Sequence, residues 1–196
     1  LCRDRGHSYE LLHGVVRMPK TRSFLAPNVH ARYHKYLVFD SIPSILDGIG
    51  EDFAFPIVLK SNRGGLGVNV FHCSDRAAGE SALVKIFDQR SCDYDYLALA
   101  QEFIPTALEY RLICGFQKPL MVYQRGDGAE FNARYWETDG GAARLETDEA
   151  LVAELFDFVR PVFDQIELGW VGFDIIRSKK GELYLIELNT APRYDH

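Results

Sequence analysis

Two strand-like runs near the end of the sequence, separated by a turn that contains glycine, constrain the fold of this chain more than any other feature. Residues 171–177 read VGFDIIR and residues 182–189 read ELYLIELN, and both runs are rich in β-branched and aromatic side chains. The intervening residues 178–181, SKKG, supply the polar and glycine positions that a tight turn favours. We therefore predict that the chain ends in a β-hairpin.

The register of this hairpin decides where its acidic side chains lie. If residues 180–181 form a two-residue turn, counting back along both strands pairs Asp174 with Glu187. Side chains alternate along a strand, so Asn189 shares a face with Glu187. Opposed like charges destabilise a sheet unless a cation lies between them, and hard oxygen ligands suit Mg²⁺ bound together with substrate phosphates. A three-residue turn would instead put the two acids on opposite faces, and an exposed hairpin with its acids in water is the alternative.

The composition limits the class of protein. The chain has 196 residues, of which 47% are hydrophobic and 26% charged, as in ordinary soluble globular proteins. This length allows one domain or two small lobes. The net charge of −6 argues against sequence-independent binding of nucleic acid. No apolar run approaches the roughly 20 residues that span a bilayer, so we predict neither a nucleic-acid partner nor a membrane partner.

The cysteines predict the compartment. Cys2, Cys73, Cys92 and Cys114 are widely scattered, and no Cys-x-x-Cys pair or secretory signal is visible. Free thiols in the reducing cytoplasm are the simplest interpretation. Because the first residue is Leu rather than Met, we also expect that an N-terminal part precedes this sequence.

The order of predicted elements favours an α+β fold. Strand-like runs and helical apolar stripes alternate without the regular βαβ pattern of a doubly wound sheet. The predicted helices are 8–16, 75–89 and 149–166, the last split by Pro161. The predicted strands are 55–60, 68–72, 97–104, 110–114, 119–124 and 131–137, and we expect residues 22–55 to be irregular.

A lysine and a glycine-rich loop follow one another after the first predicted strand. Lys60 ends the strand, and the loop Arg63-Gly64-Gly65-Leu66-Gly67 leads into the next. Glycines let backbone N–H groups approach an anion closely, and a lysine beside them reaches the same phosphates. The Walker pattern is absent, so an ordinary hairpin with a surface lysine remains the alternative.

A strand that ends at a proline and an acid that follows it suggest contacts to a nucleoside. Residues 98–104 end at Pro105, which exposes backbone donors and acceptors suited to an adenine edge. Glu109 begins the next strand and is placed to accept hydrogen bonds from ribose hydroxyls. Taken alone, each feature is better explained by a plain core strand or by a surface acid.

Taken in order, these motifs resemble the ATP-grasp superfamily. The pattern is Phe-Pro-x-Val-x-Lys with a glycine loop, Gln-Glu-Phe-Ile, Glu-Tyr-Arg, Gly-Phe-Asp and finally Glu-Leu-Asn-Thr-Ala-Pro, over roughly residues 1–193. The nearest branch is that of D-alanine–D-alanine ligase and related carboxylate–amine ligases. The resemblance implies two α+β lobes with the nucleotide between them: a small lobe at 21–104, a large lobe at 105–196, and residues 1–20 as the tail of a preceding N-terminal domain or a linker helix.

The resemblance also implies a role for each matching residue. Binding of ATP is expected from the phosphate ligand Lys60, the loop residues Arg63, Gly64, Gly65 and Gly67, the adenine hinge Gln101, Glu102, Phe103 and Ile104, the ribose ligand Glu109, and Arg134 near the γ-phosphate. The magnesium ligands, which would also accept Mn²⁺, are expected to be Asp174, Glu187 and Asn189. The family's first phosphate-binding lysine falls near Arg3.

Two positions depart from the family pattern. The ligases carry an arginine two residues before the first metal acid, where this chain has Gly172. They place glycine after the final Asn-x-x-Pro, where this chain has Arg193, which either supplies the missing cation or belongs to a different acceptor site. We include Arg193 with Lys60 and Arg134 as candidate catalytic residues.

The function implied by the resemblance is ATP-dependent ligation of a carboxylate to an amine through an acylphosphate. The expected partners are a small-molecule acid and a small-molecule amine, and a homodimer is left open. The alternatives are an ATP-grasp kinase that phosphorylates a hydroxyl and a nucleotide-binding regulatory module without catalysis.

Overall fold

The computed structural model describes residues 4–125 and 143–192. The helices are α1 (Arg5–Leu12), α2 (Ile42–Asp52), α3 (Arg76–Ile86), α4 (Glu149–Val159) and α5 (Val162–Gln165), with a 3-10 helix at Ala31–Tyr36. The strands are β1 (Thr21–Leu25), β2 (Ile57–Ser61), β3 (Val70–Cys73), β4 (Leu97–Glu102), β5 (Thr106–Gly115), β6 (Lys118–Arg125), β7 (Arg144–Glu146), β8 (Trp170–Ser178) and β9 (Leu183–Asn189). The predicted α+β class is confirmed, and no helix in these ranges is long and apolar enough to cross a membrane.

The described residues divide into two compact units. One unit comprises those of 20–103, and the other those of 1–19 and 104–196. Residues 4–19 belong to the stretch 1–20 that we expected to be the tail of a preceding domain or a linker helix, and they supply Leu12 and Val16 to the core of the second unit.

The unit of residues 20–103 is a four-stranded antiparallel sheet with helices packed on it. The strand order is β1-β4-β2-β3. Ile45 and Ile49 of α2 pack with Leu83 of α3 and Leu59 of β2 in one buried cluster. The fully buried strand β2 carries Lys60.

The second unit is a five-stranded antiparallel sheet in the order β7-β6-β5-β8-β9. Its core contains Leu112 of β5 and Phe173 of β8 together with Leu155 and Val159 of α4. The predicted division of the helix at Pro161 is confirmed, because α4 ends at Val159 and α5 begins at Val162.

The prediction that residues 22–55 are irregular was wrong. Besides β1, this region contains α2, whose Ser41 N-cap and Ser44 form a reciprocal capping box. Pro43 stands in the first turn, where its missing N–H removes no intrahelical hydrogen bond. The proline and two glycines therefore hid a regular helix.

Candidate nucleotide and metal site

The hairpin turn between β8 and β9 is one residue longer than the sequence predicted. Arg177 pairs with Leu183, and Ser178 N–H donates to the Glu182 carbonyl at 2.8 Å. Residues 179–181 therefore form a three-residue turn, with Gly181 at φ +87°. A regular ladder continued from this turn would place Asp174 opposite Ile186 rather than Glu187.

A β-bulge corrects the register before the acids are reached. Ile175 pairs with Leu185, and the next pair is Asp174 with Glu187, so Ile186 is the extra residue on β9. The predicted Asp174–Glu187 pair is thus confirmed, although a bulge rather than a two-residue turn produces it.

The bulge also keeps the two faces of the sheet chemically distinct. Phe173 and Ile175 of β8 lie in the core with Leu185 and Leu188 of β9. Because side chains alternate along strands, Asp174 projects from the opposite face. Glu187 and Asn189 share that face, and the Asn189 Nδ2 lies 3.2 Å from Asp174 Oδ2. The three residues predicted as metal ligands therefore lie together.

Two arginines from neighbouring strands bind Asp174, and the sequence reasoning assigned neither of them to the site. Arg111 pairs directly with Asp174 across β5 and β8, and its Nε and Nη2 donate to Oδ1 at 2.6 Å and to Oδ2 at 2.7 Å. Arg125 at the end of β6 adds an ion pair from Nη1 to Oδ1 at 3.0 Å. Both arginines are more than nine-tenths buried. The sheet face that carries Asp174, Glu187 and Asn189, which we call the acid face, therefore also carries two arginines.

A third arginine contacts Glu187. Arg5, the first residue of α1, donates from Nε to Glu187 Oε2 at 3.0 Å, and its side chain is 8% exposed. Asp4 caps the helix and fixes the start of that turn. We expected a cation near Arg3, which lies outside the described residues; Arg5 stands two positions further on.

Glu109, expected to bind ribose, shares the acid face. It pairs with Arg125 across β5 and β6, with Arg125 Nη1 3.4 Å from its Oε1. Burial, followed by the negative charge of Asp174, raises the pKa of Glu109 to about 8, and Glu187 contributes to the same shift. About a third of this side chain, 34%, still reaches the surface. Its carboxyl is thus exposed enough to contact a ligand, while burial and the neighbouring carboxylates favour its protonated form.

The donor chemistry of this face fits magnesium. In residues 4–125 and 143–192 no group of three His, Cys, Asp or Glu side chains is arranged to hold a metal ion. Besides the carboxyl of Glu109, the face offers the carboxylates of Asp174 and Glu187 and the amide of Asn189. Magnesium is usually held by one or two carboxylates together with waters and substrate phosphates, so this small oxygen set is of the expected kind.

In the other unit, Lys60 lies at the centre of a buried polar chain. Its Nζ donates to Gln101 Oε1 at 3.1 Å, and Gln101 Nε2 donates to Thr21 Oγ1 at 2.8 Å. Lys60 is 5% exposed. The predicted phosphate ligand and the predicted hinge residue are therefore in contact, and Thr21 fixes the amide orientation that presents an oxygen to the lysine.

The glycine-rich loop forms a hydrogen bond to Asp95 at its start, and its residues 63–66 are exposed. Arg63 N–H donates to the Asp95 carboxylate at 2.6 Å. Gly64 and Gly67 adopt φ of +116° and +65°, which glycine reaches without strain. Apart from its chain neighbours, no described residue has an atom within 4 Å of a Cβ built on Gly65. Asp95 is the anchor that the loop pattern did not reveal.

The remaining hinge residues lie where the sequence passes from one unit to the other, since Phe103 ends one unit and Ile104 begins the next. Glu102 N–H donates to the Lys20 carbonyl at 2.8 Å, and the Phe103 ring lies 4.6 Å from the ring of His72. Ile104 is buried at the start of the following unit, where its carbonyl accepts from Thr106 Oγ1 at 2.9 Å.

Two predicted catalytic residues, Arg134 and Arg193, lie outside the described residues, as does the predicted strand 131–137.

Comparison with known proteins places these features in a family. The sequence pattern of the RimK-like ATP-grasp domain matches residues 39–196. No curated protein sequence matches the chain.

Solved structures share the fold at low sequence identity. D-alanine–D-alanine ligase from Bacillus anthracis, complexed with ATP, is 21% identical with a TM-score of 0.67, over 97% of this chain and 55% of that one. N5-carboxyaminoimidazole synthetase from Staphylococcus aureus, complexed with ADP, is 14% identical with a TM-score of 0.67, over 99% and 46%. A RimK domain ATP-grasp protein from Sphaerobacter thermophilus is 18% identical with a TM-score of 0.61, over 98% and 60%. The chain thus spans about half the length of these proteins.

Proposed function

Because the chain belongs to the RimK-like ATP-grasp family, we propose that it is the nucleotide-binding and metal-binding part of an ATP-dependent carboxylate–amine ligase. One observation carries the proposal: Asp174 and Glu187 are cross-strand partners on a face that also holds Asn189 and buried arginines. Such a face offers oxygen ligands to a divalent cation and hydrogen-bond donors to phosphate oxygens. The fold shared with ligases that were crystallised with ATP or ADP supports the same proposal.

The chemistry requires activation of the acid. A carboxylate does not react with an amine near neutral pH because its oxyanion is a poor leaving group. One carboxylate oxygen therefore attacks the γ-phosphorus of ATP, the bond to the β-phosphate oxygen breaks, and ADP leaves. The amine nitrogen then attacks the acylphosphate carbon, phosphate departs with the C–O bond electrons, and the nitrogen loses a proton to give the amide.

The residues of this chain position phosphates and offset their charge. Lys60 and the loop from Arg63 to Gly67 are proposed to bind the phosphates, and residues 101–104 with Glu109 the nucleoside. Asp174, Glu187 and Asn189 would hold Mg²⁺ or Mn²⁺, which would offset the negative charge of the phosphates. Arg134 and Arg193 are proposed to contribute further cations. The substrates would be a small acid and a small amine in the cytoplasm.

The test is a mass-spectrometric screen with ATP, magnesium and pooled acids and amines. A product whose mass equals one acid plus one amine minus water supports the ligase. A stable phosphoester would instead identify a kinase, and nucleotide binding without any ADP release would identify a regulatory module.

A matched pair of variants links the reaction to the proposed ligands. Glu187→Gln removes one charge from the acid face and should abolish turnover. Glu182→Gln makes the same change at the exposed end of the hairpin, where Glu182 pairs with Arg17, and should retain it. Near-normal turnover by Glu187→Gln would contradict the assignment of the site.

A further inference from the structure

The carboxylate of Asp174 already has a donor at every position where a metal ion would bind. An ionised carboxylate offers about four lone-pair positions on its two oxygens. Oδ1 receives Arg111 Nε at 2.6 Å and Arg125 Nη1 at 3.0 Å. Oδ2 receives Arg111 Nη2 at 2.7 Å and Asn189 Nδ2 at 3.2 Å. A cation that reached Asp174 would therefore have to displace at least one of these groups.

Displacement is costly for a metal ion that arrives alone. Arg111 and Arg125 are nearly buried and stay charged at any ordinary pH. Taking the carboxylate away would remove the ion pair of the buried Arg111 and the shorter of the two ion pairs of Arg125, which also contacts Glu109, and breaking buried pairs is destabilising. The incoming divalent cation would also lie beside two like charges in a region of reduced dielectric.

A polyphosphate removes that cost. Its oxygens accept paired hydrogen bonds from guanidinium groups with the same geometry as a carboxylate. When phosphate oxygens bind Arg111 or Arg125, Asp174 regains free lone pairs, and half a turn of the Asn189 amide presents its oxygen in place of its nitrogen. Metal and phosphate would then occupy the face together with their charges offset.

We infer that Arg111 and Arg125 are positioning residues that keep Asp174 closed to free divalent cations and open it only to a cation that arrives with a polyphosphate. The inference rests on the proposed function and adds an order of binding to it. Metal binding and nucleotide binding are then coupled, each raising the affinity for the other by the same factor.

The test measures metal binding directly and does not depend on turnover. Mn²⁺ is titrated into the protein and the free ion is followed by its electron paramagnetic resonance signal, first alone and then with a non-hydrolysable ATP analogue. For the unchanged chain the analogue should tighten Mn²⁺ binding by at least about tenfold, which corresponds to about 1.4 kcal/mol. In Arg125→Met, Mn²⁺ alone should bind about tenfold more tightly, and the effect of the analogue should shrink.

Matched variants separate this coupling from a general loss of structure. Arg125→Gln keeps polarity without charge and should behave as Arg125→Met does, which guards against a packing defect in either variant. Arg160→Met removes an exposed arginine that pairs only three residues away with Asp157 and should leave both titrations unchanged. Thermal unfolding of each variant checks that it is folded.

The outcomes separate failure of this inference from failure of the proposed function. If Mn²⁺ binds the unchanged chain with the analogue, but Arg125→Met and Arg125→Gln bind Mn²⁺ alone no more tightly than the unchanged chain, the inference is overturned and the function stands. If the unchanged chain binds no Mn²⁺ with or without the analogue, the proposed metal site itself is wrong.

Discussion

Pro192 occupies the space beside Gly172. A Cβ built on Gly172 would lie 2.9 Å from the Cβ of Pro192 and 3.3 Å from Cδ1 of Ile113, closer than side-chain atoms normally approach. A side chain at position 172, where the resemblance to the ligases implies an arginine, would therefore have to displace Pro192 or Ile113. Pro192 fills the space that an arginine side chain at position 172 would need. The arginines that contact Asp174 on the acid face come instead from β5 and β6.

The close contact predicts that Gly172→Ala destabilises the fold. The added methyl group has to push Pro192 or Ile113 aside, and overpacking of this kind typically costs about 1–3 kcal/mol. Urea unfolding of Gly172→Ala and of the unchanged chain measures the difference. Gly14→Ala is the control, since within residues 4–125 and 143–192 no atom beyond the chain neighbours lies within 4 Å of a Cβ at Gly14. Equal midpoints for Gly172→Ala and the unchanged chain would show that Pro192 does not hold this position.

Two glycines of α2 should respond in opposite ways to the same substitution. Gly50 is exposed with open space around it, so Gly50→Ala should raise the free energy of unfolding by about 0.5–1 kcal/mol through the lower entropy of the unfolded chain. Gly48 is buried, and its Cβ would lie 2.6 Å from Cε1 of Phe39, so Gly48→Ala should lower it. Because both lie in one helix, the intrinsic helix preference cancels in the comparison. Destabilisation by Gly50→Ala, or none by Gly48→Ala, would contradict the packing described for α2.

Glu109 should make stability depend on pH. Its folded pKa of about 8 lies above the ordinary value of 4.5, so the folded chain holds a proton that the unfolded chain releases between these values. Stability from this group is therefore fully present below about pH 4.5 and is lost as the pH rises through 8. Glu109→Gln removes this loss. Its urea midpoint should therefore rise relative to that of the unchanged chain as the pH increases from 5 to 8.

Comparing the two chains at each pH isolates Glu109, because every other titrating group is common to both. The carboxyl of Asp52, for example, has a pKa lowered by its hydrogen bonds to Arg22 and Lys20, which acts in the opposite direction in both chains. A constant difference between the two midpoints across this pH range would show that Glu109 is ionised in the folded chain at neutral pH.

The sequence predicts those parts of the site that depend on short segments. The hairpin, Lys60 with its glycine loop, and the division at Pro161 all follow from neighbouring residues. Asp174 and Glu187 are also close enough in sequence for a register to be counted, and the pair is correct although the counted turn was one residue too short.

The arginines could not be found in this way because their role depends on strand order. Arg111 lies opposite Asp174 only once β5 is placed beside β8, 63 residues later in the chain. Arg5 reaches Glu187 across 182 residues. Arg111 lies in the Glu-Tyr-Arg motif, but neither this motif nor the residues around Arg5 indicate which acid the side chain meets. The helix α2 was missed for a different reason, since its proline and glycines carry turn preferences that its cap and tertiary packing override.

The bulge at Ile186 gives the sharpest test of how the acid face is built. Deleting Ile186 removes the extra residue, so a regular ladder would run from Ile175–Leu185 directly to Asp174–Glu187. The acids would stay paired and Leu188 would stay in the core. Inserting one alanine after Ile186 shifts the ladder by one residue, and such a shift moves every following side chain to the other face. The deletion should therefore keep nucleotide-dependent Mn²⁺ binding within about tenfold of the unchanged chain, and the insertion should abolish it. Loss of binding in a folded deletion variant, as judged by circular dichroism and a cooperative thermal transition, would mean that the bulge shapes the ligand geometry itself rather than merely correcting the register after a three-residue turn.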